Sequence, residues 1–406
     1  MLNAETRDKK FHVLSTTEGC ATNLLENSSY RKQFENQGLK ASDSAQDADV
    51  ILINTCGYNQ DMESKAAETI ATYQARFPGK EIVLAGCMPK INPRLVREKF
   101  AGLEVRSLPA DSGESQSYQF DRADFATLSS KHKLVLLLRP ILYKFENFFG
   151  YRLSPLHNLL QSVIVNEDFF LITVSTGCLG SCTFCAIKRA KGRLRSRPLA
   201  PLMSEFAAGL KAGRKKFWLL GDDIGCWGQD LGLSLVDLLK AFTQRTEDFE
   251  LVVNYVDPQF MVRYGSELQQ VFQDRRIIGM NLPIQSGSDR VLRDMSRQYQ
   301  ANPVYDTLRG LKRLNPGLAV KTNLIVGFPG ETWQDFAMSL RSVFHFDAIL
   351  ALKFTPRPQT PAAEMQTQIP EAVKNLRMLI MNLAISIRHG LVALGSFARP
   401  EKSLKH

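Results

Sequence analysis

The chain has 406 residues, too many for one small hydrophobic core, and that length predicts two or three domains. With 44% hydrophobic and 23% charged residues, its composition excludes general disorder. The 51 Lys and Arg exceed the 41 Asp and Glu by ten charges, a balance that suits either an anionic partner, nucleic acid first, or a solvated basic surface.

Residues 1–10 carry mixed charge and run into Phe11-His12-Val13-Leu14-Ser15 without an apolar signal core, so a cytoplasmic protein is expected. Its seven cysteines are then expected to stay reduced, a setting in which clustered cysteines point to metal or catalysis rather than disulfides. From residue 11 to about 112, the runs FHVLST, DVILINT and EIVLAG alternate with helix-like stretches. This is the pattern of a small doubly wound parallel-sheet α/β domain, assigned to residues 1–112. Each run leads into a cysteine: Cys20, Cys56 and Cys87. Taken singly, each reads more readily as a small buried residue than as a ligand. Strand C-termini of an open parallel sheet gather around one crevice, however, and there three thiolates converge.

Residues 113–168 break the rhythm and read as a linker or insertion with amphipathic helices; Lys131 to Arg152 holds five Lys or Arg and one acidic residue. The apolar run closest to a membrane segment, Leu134 to Leu138, is ended by Arg139 and Pro140 and is too short to be an integral one. From Phe169, six strand signals recur: FFLITVST, KKFWLLG, FELVVNY, IIGMNLPI, VKTNLIVGF and ILALKFTP. They predict a partial (β/α)6 TIM-type barrel over residues 169–368. Residues 369–406 are read as one helix, near 370–394, and a basic tail.

The sharpest motif is Cys178-Leu-Gly-Ser-Cys182-Thr-Phe-Cys185, directly after the first barrel strand. Three thiolates so spaced on one loop can each take a different iron of a 4Fe–4S cluster, leaving one iron open to a small molecule. A zinc knuckle would need a fourth Cys or His nearby, and the sequence has none. Cys226 has no cysteine partner in sequence and is read as a packing residue. The run Lys188 to Arg197, six basic residues in ten, is read as facing an anionic substrate or cofactor carboxylate at the barrel mouth.

The C-x3-C-x2-C loop with Phe184 before its last cysteine resembles that of radical S-adenosylmethionine (SAM) enzymes. The blocks STGCLGSCTFCAIKRAKGRLRSRPL, LLGDDIGCWGQDLG, NLPIQSGSDRVLRDM, NLIVGFPGETWQDF and FTPRPQTPAAEM resemble, in that order, the radical SAM methylthiotransferases. The likeness is greatest to the branch acting on threonylcarbamoyladenosine in tRNA. It implies two 4Fe–4S clusters, one on Cys178, Cys182 and Cys185 and an auxiliary one on Cys20, Cys56 and Cys87. It further implies SAM contacts from Phe184, from Gly221-Asp222-Asp223 through backbone carbonyls, and from Gln285, Ser286 and Gly327. Asp222-Asp223 departs from the Gln-Asp, Glu-Asp or Gln-Asn of most members. Glu331 is read as favouring a helix N-terminus.

The activity so implied is insertion of a methylthio group at an unactivated C–H bond of a tRNA adenosine next to the anticodon, fed by an electron donor such as flavodoxin or ferredoxin. Two rival readings are the same chemistry on a peptide or small metabolite and a non-catalytic iron–sulfur RNA-binding paralogue. After Pro361, the sequence lacks the repeated strands of the TRAM-like β-barrel with which such proteins grip a macromolecule, and that module is expected to be absent.

Overall fold

The computed structural model describes residues 9–17, 21–107, 117–118 and 169–397. Cys20 and nearly all of the 113–168 linker lie outside them.

The first unit is a five-stranded parallel sheet: β1 (Lys10–Ser15), β2 (Lys40–Ala41), β3 (Val50–Thr55), β4 (Glu81–Gly86) and β5 (Glu104–Val105), ordered β2-β1-β3-β4-β5. Its helices are α1 (Ala21–Asn36), α2 (Gln60–Arg76), α3 (Met88–Ile91) and α4 (Pro93–Lys99). The continuous apolar run of β3 has no polar face because helices cover both of its sides. Ile51, Ile53 and Leu84 pack against Ala66 and Ile70 of α2, while Phe11, Val13, Leu52 and Val83 pack against Tyr30 and Phe34 of α1. The strand order reverses beside β1 and β3, opening a crevice at their C-terminal ends. Cys56 and Cys87 follow β3 and β4 there directly.

The second unit starts with β6 (Ser117–Tyr118), β7 (Phe169–Thr173), β8 (Ser175–Thr176), α5 (Ile187–Lys191), β9 (Arg195–Ser196) and α6 (Leu199–Lys211). It continues through β10 (Lys216–Leu220), α7 (Leu235–Thr243), β11 (Glu250–Val253), α8 (Pro258–Arg263), α9 (Gly265–Val271), β12 (Ile277–Asn281), α10 (Asp289–Asp294) and α11 (Ala301–Leu314). Last come β13 (Ala319–Val326), α12 (Trp333–Ser342), β14 (Ala348–Lys353), α13 (Pro361–Glu364) and α14 (Glu371–Phe397). The sheet order is β14-β13-β12-β11-β10-β7-β6. Six strands are parallel and in chain order, the open (β/α)6 half-barrel expected, and β6 alone pairs antiparallel, with β7.

Alternate residues of each strand bury against the outer helices, so the other set lines the lumen. Val320, Leu324 and Val326 of β13 join Leu308, Leu311 and Phe336 in the outer core. On the lumen side of β7 and β10, Leu171 and Leu220 pack against Ala21 and Leu25 of α1, so the first unit plugs that half of the barrel. Met381 and Ile385 of α14 join the barrel core, which makes the helix read as a separate C-terminal segment an integral part of this unit. No helix of the described residues is long and apolar enough to cross a membrane.

Candidate functional site

The loop after β8 carries Cys178, Cys182 and Cys185, and the rest of the fold pins it down. Thr183 N–H donates to Met295 O at 3.1 Å, its hydroxyl donates to Asp294 O at 2.9 Å, and its own carbonyl accepts from Ala362 N–H at 3.0 Å. Phe184 seats its ring among Val291, Met295, Ile325, Phe328 and Phe354. Lys188 closes the loop by donating to Gly180 O at 2.6 Å. A Cβ on Gly180 would meet the Cys178 sulfur at 3.3 Å and the Cys182 sulfur at 3.6 Å. Two of the three sulfurs therefore close over a glycine, in space that a side chain would fill.

Burial pushes the Cys182 thiol up to about 11 and also raises Cys185, so both stay protonated unless a cation or cluster takes the thiolate. Cys178 moves the other way, to about 7, because the Cys226 thiol lies beside it. Cys226 is wholly buried, as a packing residue should be, and its thiol donates to Asp223 O at 3.1 Å. The structure corrects its lack of a cysteine partner: ligand atoms of Cys178, Asp223 and Cys226 lie within 4.8 Å of one another. One-dimensional spacing hid this contact, since the residues sit on loops after different strands.

Asp222 and Asp223, at the end of β10, spend their carboxylates inside the protein. Asp222 accepts from Gly177 N–H at 2.7 Å; Asp223 accepts from Gly225 N–H at 2.9 Å and from Asp257 N–H at 3.0 Å. Burial raises both carboxyls. Gly221 is needed because a Cβ there would meet Ser175 Oγ at 2.8 Å. Gln285 is held at φ 66° with its Oε1 buried and without a hydrogen bond. The Ser286 hydroxyl instead faces Ser339 Oγ at 3.2 Å and accepts from Ser288 N–H, so its side chain is directed at α12. Gly327 adopts φ +79°, and a Cβ there would meet Lys374 Cγ at 2.4 Å. Glu331 does more than favour a helix N-terminus: wholly buried, it accepts from Gly327 N–H at 2.9 Å and pairs with Arg377 at 2.7 Å.

The basic run is a correction. Lys188 serves the loop, Arg189 donates to Pro358 O and Gln359 O, Lys191 pairs with Glu26 of α1, and Arg197 pairs with Glu205. Four of its six charges are bound internally, leaving Arg193 and Arg195 exposed. These partners of Arg189 and Lys191 lie more than 160 residues away, so the run's composition could not show them.

Of the N-terminal trio, Cys56 and Cys87 are described. Cys56 N–H donates to Thr16 Oγ1 at 3.1 Å, and burial pushes its thiol up to about 11, with Cys87, Lys191 and Arg357 among its charged neighbours. Cys87 packs with Ile91, Ala186, Ile187 and Ala190, hence against the turn and helix that follow Cys185. Tyr58, two residues past Cys56, has Cys56, Cys185, Tyr255 and Arg297 within electrostatic reach of its phenol, while the residue itself is 43% exposed. Neither Tyr58 nor Arg297 was singled out from sequence; for Tyr58, the available signal was its nearness to Cys56. Arg297 pairs with Asp257, both nearly buried, and lies near Cys182 and Cys185.

A model described as Uncharacterized protein family UPF0004 matches residues 12–105, and one described as Radical SAM superfamily matches residues 172–343. In structure the chain is similar to the radical S-adenosylmethionine methyltransferase TsrM from Kitasatospora setae. The TM-score is 0.53 at 14% identity, over 87% of this chain and 75% of that one. The fold is therefore that of a radical SAM half-barrel preceded by a second α/β unit. The human threonylcarbamoyladenosine tRNA methylthiotransferase is 32% identical over 366 residues, which is 89% of this chain and 60% of the human protein's length. The Thermotoga maritima protein MtaB, of the same name, is 29% identical over 90% of this chain and 80% of its own. Over about nine-tenths of its length the chain is thus similar to radical SAM methylthiotransferases, of which it spans 60% of the human protein and 80% of the Thermotoga maritima one.

Proposed function

We propose that this protein inserts a methylthio group into a tRNA adenosine next to the anticodon. The reading rests on one observation above the rest: the two groups of cysteines, each at strand ends of its own unit, meet at one interface, where Cys87 packs against Ala186 and Ile187, the residues that follow Cys185. The domain order of the family and the names of its relatives supply the substrate class.

The residues fit the cofactors that this family uses. Cys178, Cys182 and Cys185 would hold one 4Fe–4S cluster, and Cys56 and Cys87, together with Cys20 outside the described residues, would hold the other. When bound, the clusters and SAM supply the electron, the hydrogen-abstracting radical and the sulfur and methyl groups of the reaction. The chain's part is positional. Lys188, Thr183 and Phe184 fix the cysteine loop, and Phe184, Gly221, Asp222, Asp223, Gln285 and Gly327 line the end of the half-barrel where SAM binds. The contact expected of Ser286 runs through its backbone, since its hydroxyl is engaged. α1 covers the lumen beside β7 and β10, excluding water from the reacting centre. In this reading, the auxiliary-cluster domain is 1–112, the insertion 113–168 and the barrel 169–368, with the helix of 369–406 packed into the barrel core. The partners are tRNA and a flavodoxin or ferredoxin as electron donor, and the compartment is the cytoplasm.

Anaerobic reconstitution is the test. Iron and labile sulfide should report two clusters per chain, with SAM cleaved to 5′-deoxyadenosine under dithionite. Cys182→Ala should remove one cluster and all 5′-deoxyadenosine. Cys87→Ala should remove the other and stop sulfur insertion while SAM cleavage continues. A single cluster in the wild-type chain, or unchanged 2-methylthio adenosines in tRNA from a deletion strain, refutes the proposal.

A further inference from the structure

Cys226 is the one cysteine of the chain that neither trio uses, and the fold brings it to Cys178. The 3₁₀ turn Ile224–Cys226 follows Asp223 directly, and at three residues per turn side chains i and i+3 stand one above the other, so Asp223 and Cys226 share a side. Gly225 inside the turn leaves that side open, since a Cβ there would meet Asp223 Oδ1 at 2.9 Å. The segment leading to the cysteine loop is laid alongside: Val174 N–H donates to Leu220 O at 2.8 Å and Gly177 N–H to Asp222 Oδ2 at 2.7 Å. Asp223 Oδ1 is held by the N–H groups of Gly225 and Asp257, which leaves Oδ2 facing Cys178 Sγ at 3.8 Å. Ligand atoms of Cys178, Asp223 and Cys226 thus lie within 4.8 Å of one another.

Around a tetrahedral zinc ion, with Zn–S about 2.3 Å and Zn–O about 2.0–2.2 Å, neighbouring ligand atoms stand about 3.5–3.8 Å apart. Cys178 and Asp223 already have that spacing, and the Cys226 sulfur has to close by no more than about 1 Å. Asp223 is 5% exposed and makes no ion pair among the described residues, and a buried carboxylate without a counter-charge is costly. A cation on Oδ2 supplies that charge. The two N–H bonds to Oδ1 are the outer-shell support that fixes a metal-binding carboxylate. Two thiolates beside one carboxylate favour zinc over magnesium or calcium, which take oxygen ligands. Cys178 is half-buried, which leaves the fourth position to water.

We propose that Cys178, Asp223 and Cys226 bind a zinc ion in the chain before its cluster is installed. Each thiol gives up its proton as its sulfur takes the metal, and no electron moves. Because Cys178 belongs to both sets, the zinc ion and the 4Fe–4S cluster exclude each other; this clause alone rests on the cluster reading above. The ion keeps Cys178 from oxidation until the cluster displaces it.

The test uses the full chain, freed of metal by chelator under reductant and dialysed against Zn2+ or Co2+. Cys226→Ser, which keeps the side chain's shape, should weaken binding of one ion by at least about a hundredfold, the upper end of what loss of an outer-shell partner costs. Asp223→Asn should do the same, and the visible sulfur-to-cobalt absorption of that ion should fade in Cys226→Ser. Cys182→Ser should retain the ion. Zinc-loaded wild type should take up its barrel cluster about tenfold more slowly than metal-free chain, and zinc should not delay Cys226→Ser, which still takes up iron and sulfide for two clusters. An ion lost in Cys182→Ser and kept in Cys226→Ser is held by the loop trio, which overturns the proposal. Equal cluster uptake with and without zinc, or loss of the barrel cluster in Cys226→Ser, overturns it as well. A wild type that binds zinc in this way yet assembles no cluster on Cys178, Cys182 and Cys185 defeats the cluster reading and leaves the zinc site standing.

Discussion

Arg297 shows how much of the site depends on a single side chain. Its guanidinium pairs with Asp257, lies 5.7 Å from the centre of the Phe184 ring, and has Cys182, Cys185 and Asp223 as charged neighbours. Both members of the Arg297–Asp257 pair are nearly buried, so removing one strands the other in a low-dielectric interior. Arg297→Met should lower the stability of the cluster-free protein by about 3–5 kcal/mol in urea unfolding. Adding Asp257→Asn should recover part of that loss. A double variant no more stable than Arg297→Met alone would mean that the pair is not the source. The three cysteines of the loop were legible in sequence because their spacing is local. Arg297 was not, because its meaning comes from Asp257, forty residues earlier on another strand end.

At the scale of elements, Glu331 joins the turn after β13 to α14. It accepts from Gly327 N–H and pairs with Arg377, yet burial outweighs both and pushes its carboxyl up to about 7. An acid whose folded-state value lies above its unfolded value, about 4.3 for Glu, binds its proton more tightly when folded. Its favourable contribution is therefore complete below that unfolded value and is lost as pH rises through about 7. Relative to Glu331→Gln, the wild type should lose on the order of 2 kcal/mol between pH 5 and pH 8. Urea midpoints across that range check it, and a constant difference would show that Glu331 stays ionised throughout. The strands on either side were readable as elements: β13 ends in the apolar run Leu324-Ile325-Val326 before Gly327, β14 opens with Ala348-Ile349-Leu350-Ala351-Leu352, and such runs between helix signals belong to a covered parallel sheet. The tie from β13 to α14 was not readable, since an ion pair between a turn and a helix forty-six residues on leaves no periodic trace.

Across the whole molecule, reactivity depends on how the first unit is held against the barrel. Beside the apolar contacts of α1 and Cys87, polar ties among the described residues help do this. Glu63 of α2 pairs with Arg357, Lys191 pairs with Glu26 of α1, Gln60 N–H donates to Thr355 Oγ1 at 3.3 Å, and Arg189 reaches Pro358 O at 2.8 Å, beside Ile91 O at 3.5 Å. Arg357 and Glu63 are 294 positions apart and both largely buried, which makes their pair the deepest of these ties. It also lies close to Cys56, because Arg357 is among that thiol's charged neighbours. Arg357→Met leaves Glu63 buried without a counter-charge and should loosen the interface while each sheet stays folded on its own core. Amide exchange should then quicken in α2 and in the turn at Thr355, with β3 and β12 unchanged. In the reconstituted protein the two steps should part company: 5′-deoxyadenosine formation, which needs only the barrel, persists, while methylthio product falls by at least about tenfold through misplacement of the second site. Reversing the pair as Arg357→Glu with Glu63→Arg should regain part of the coupling. If both steps fell together in Arg357→Met, the connection would be a support of the barrel itself, and the placement of one thiol group before the other would have to come from elsewhere in the interface.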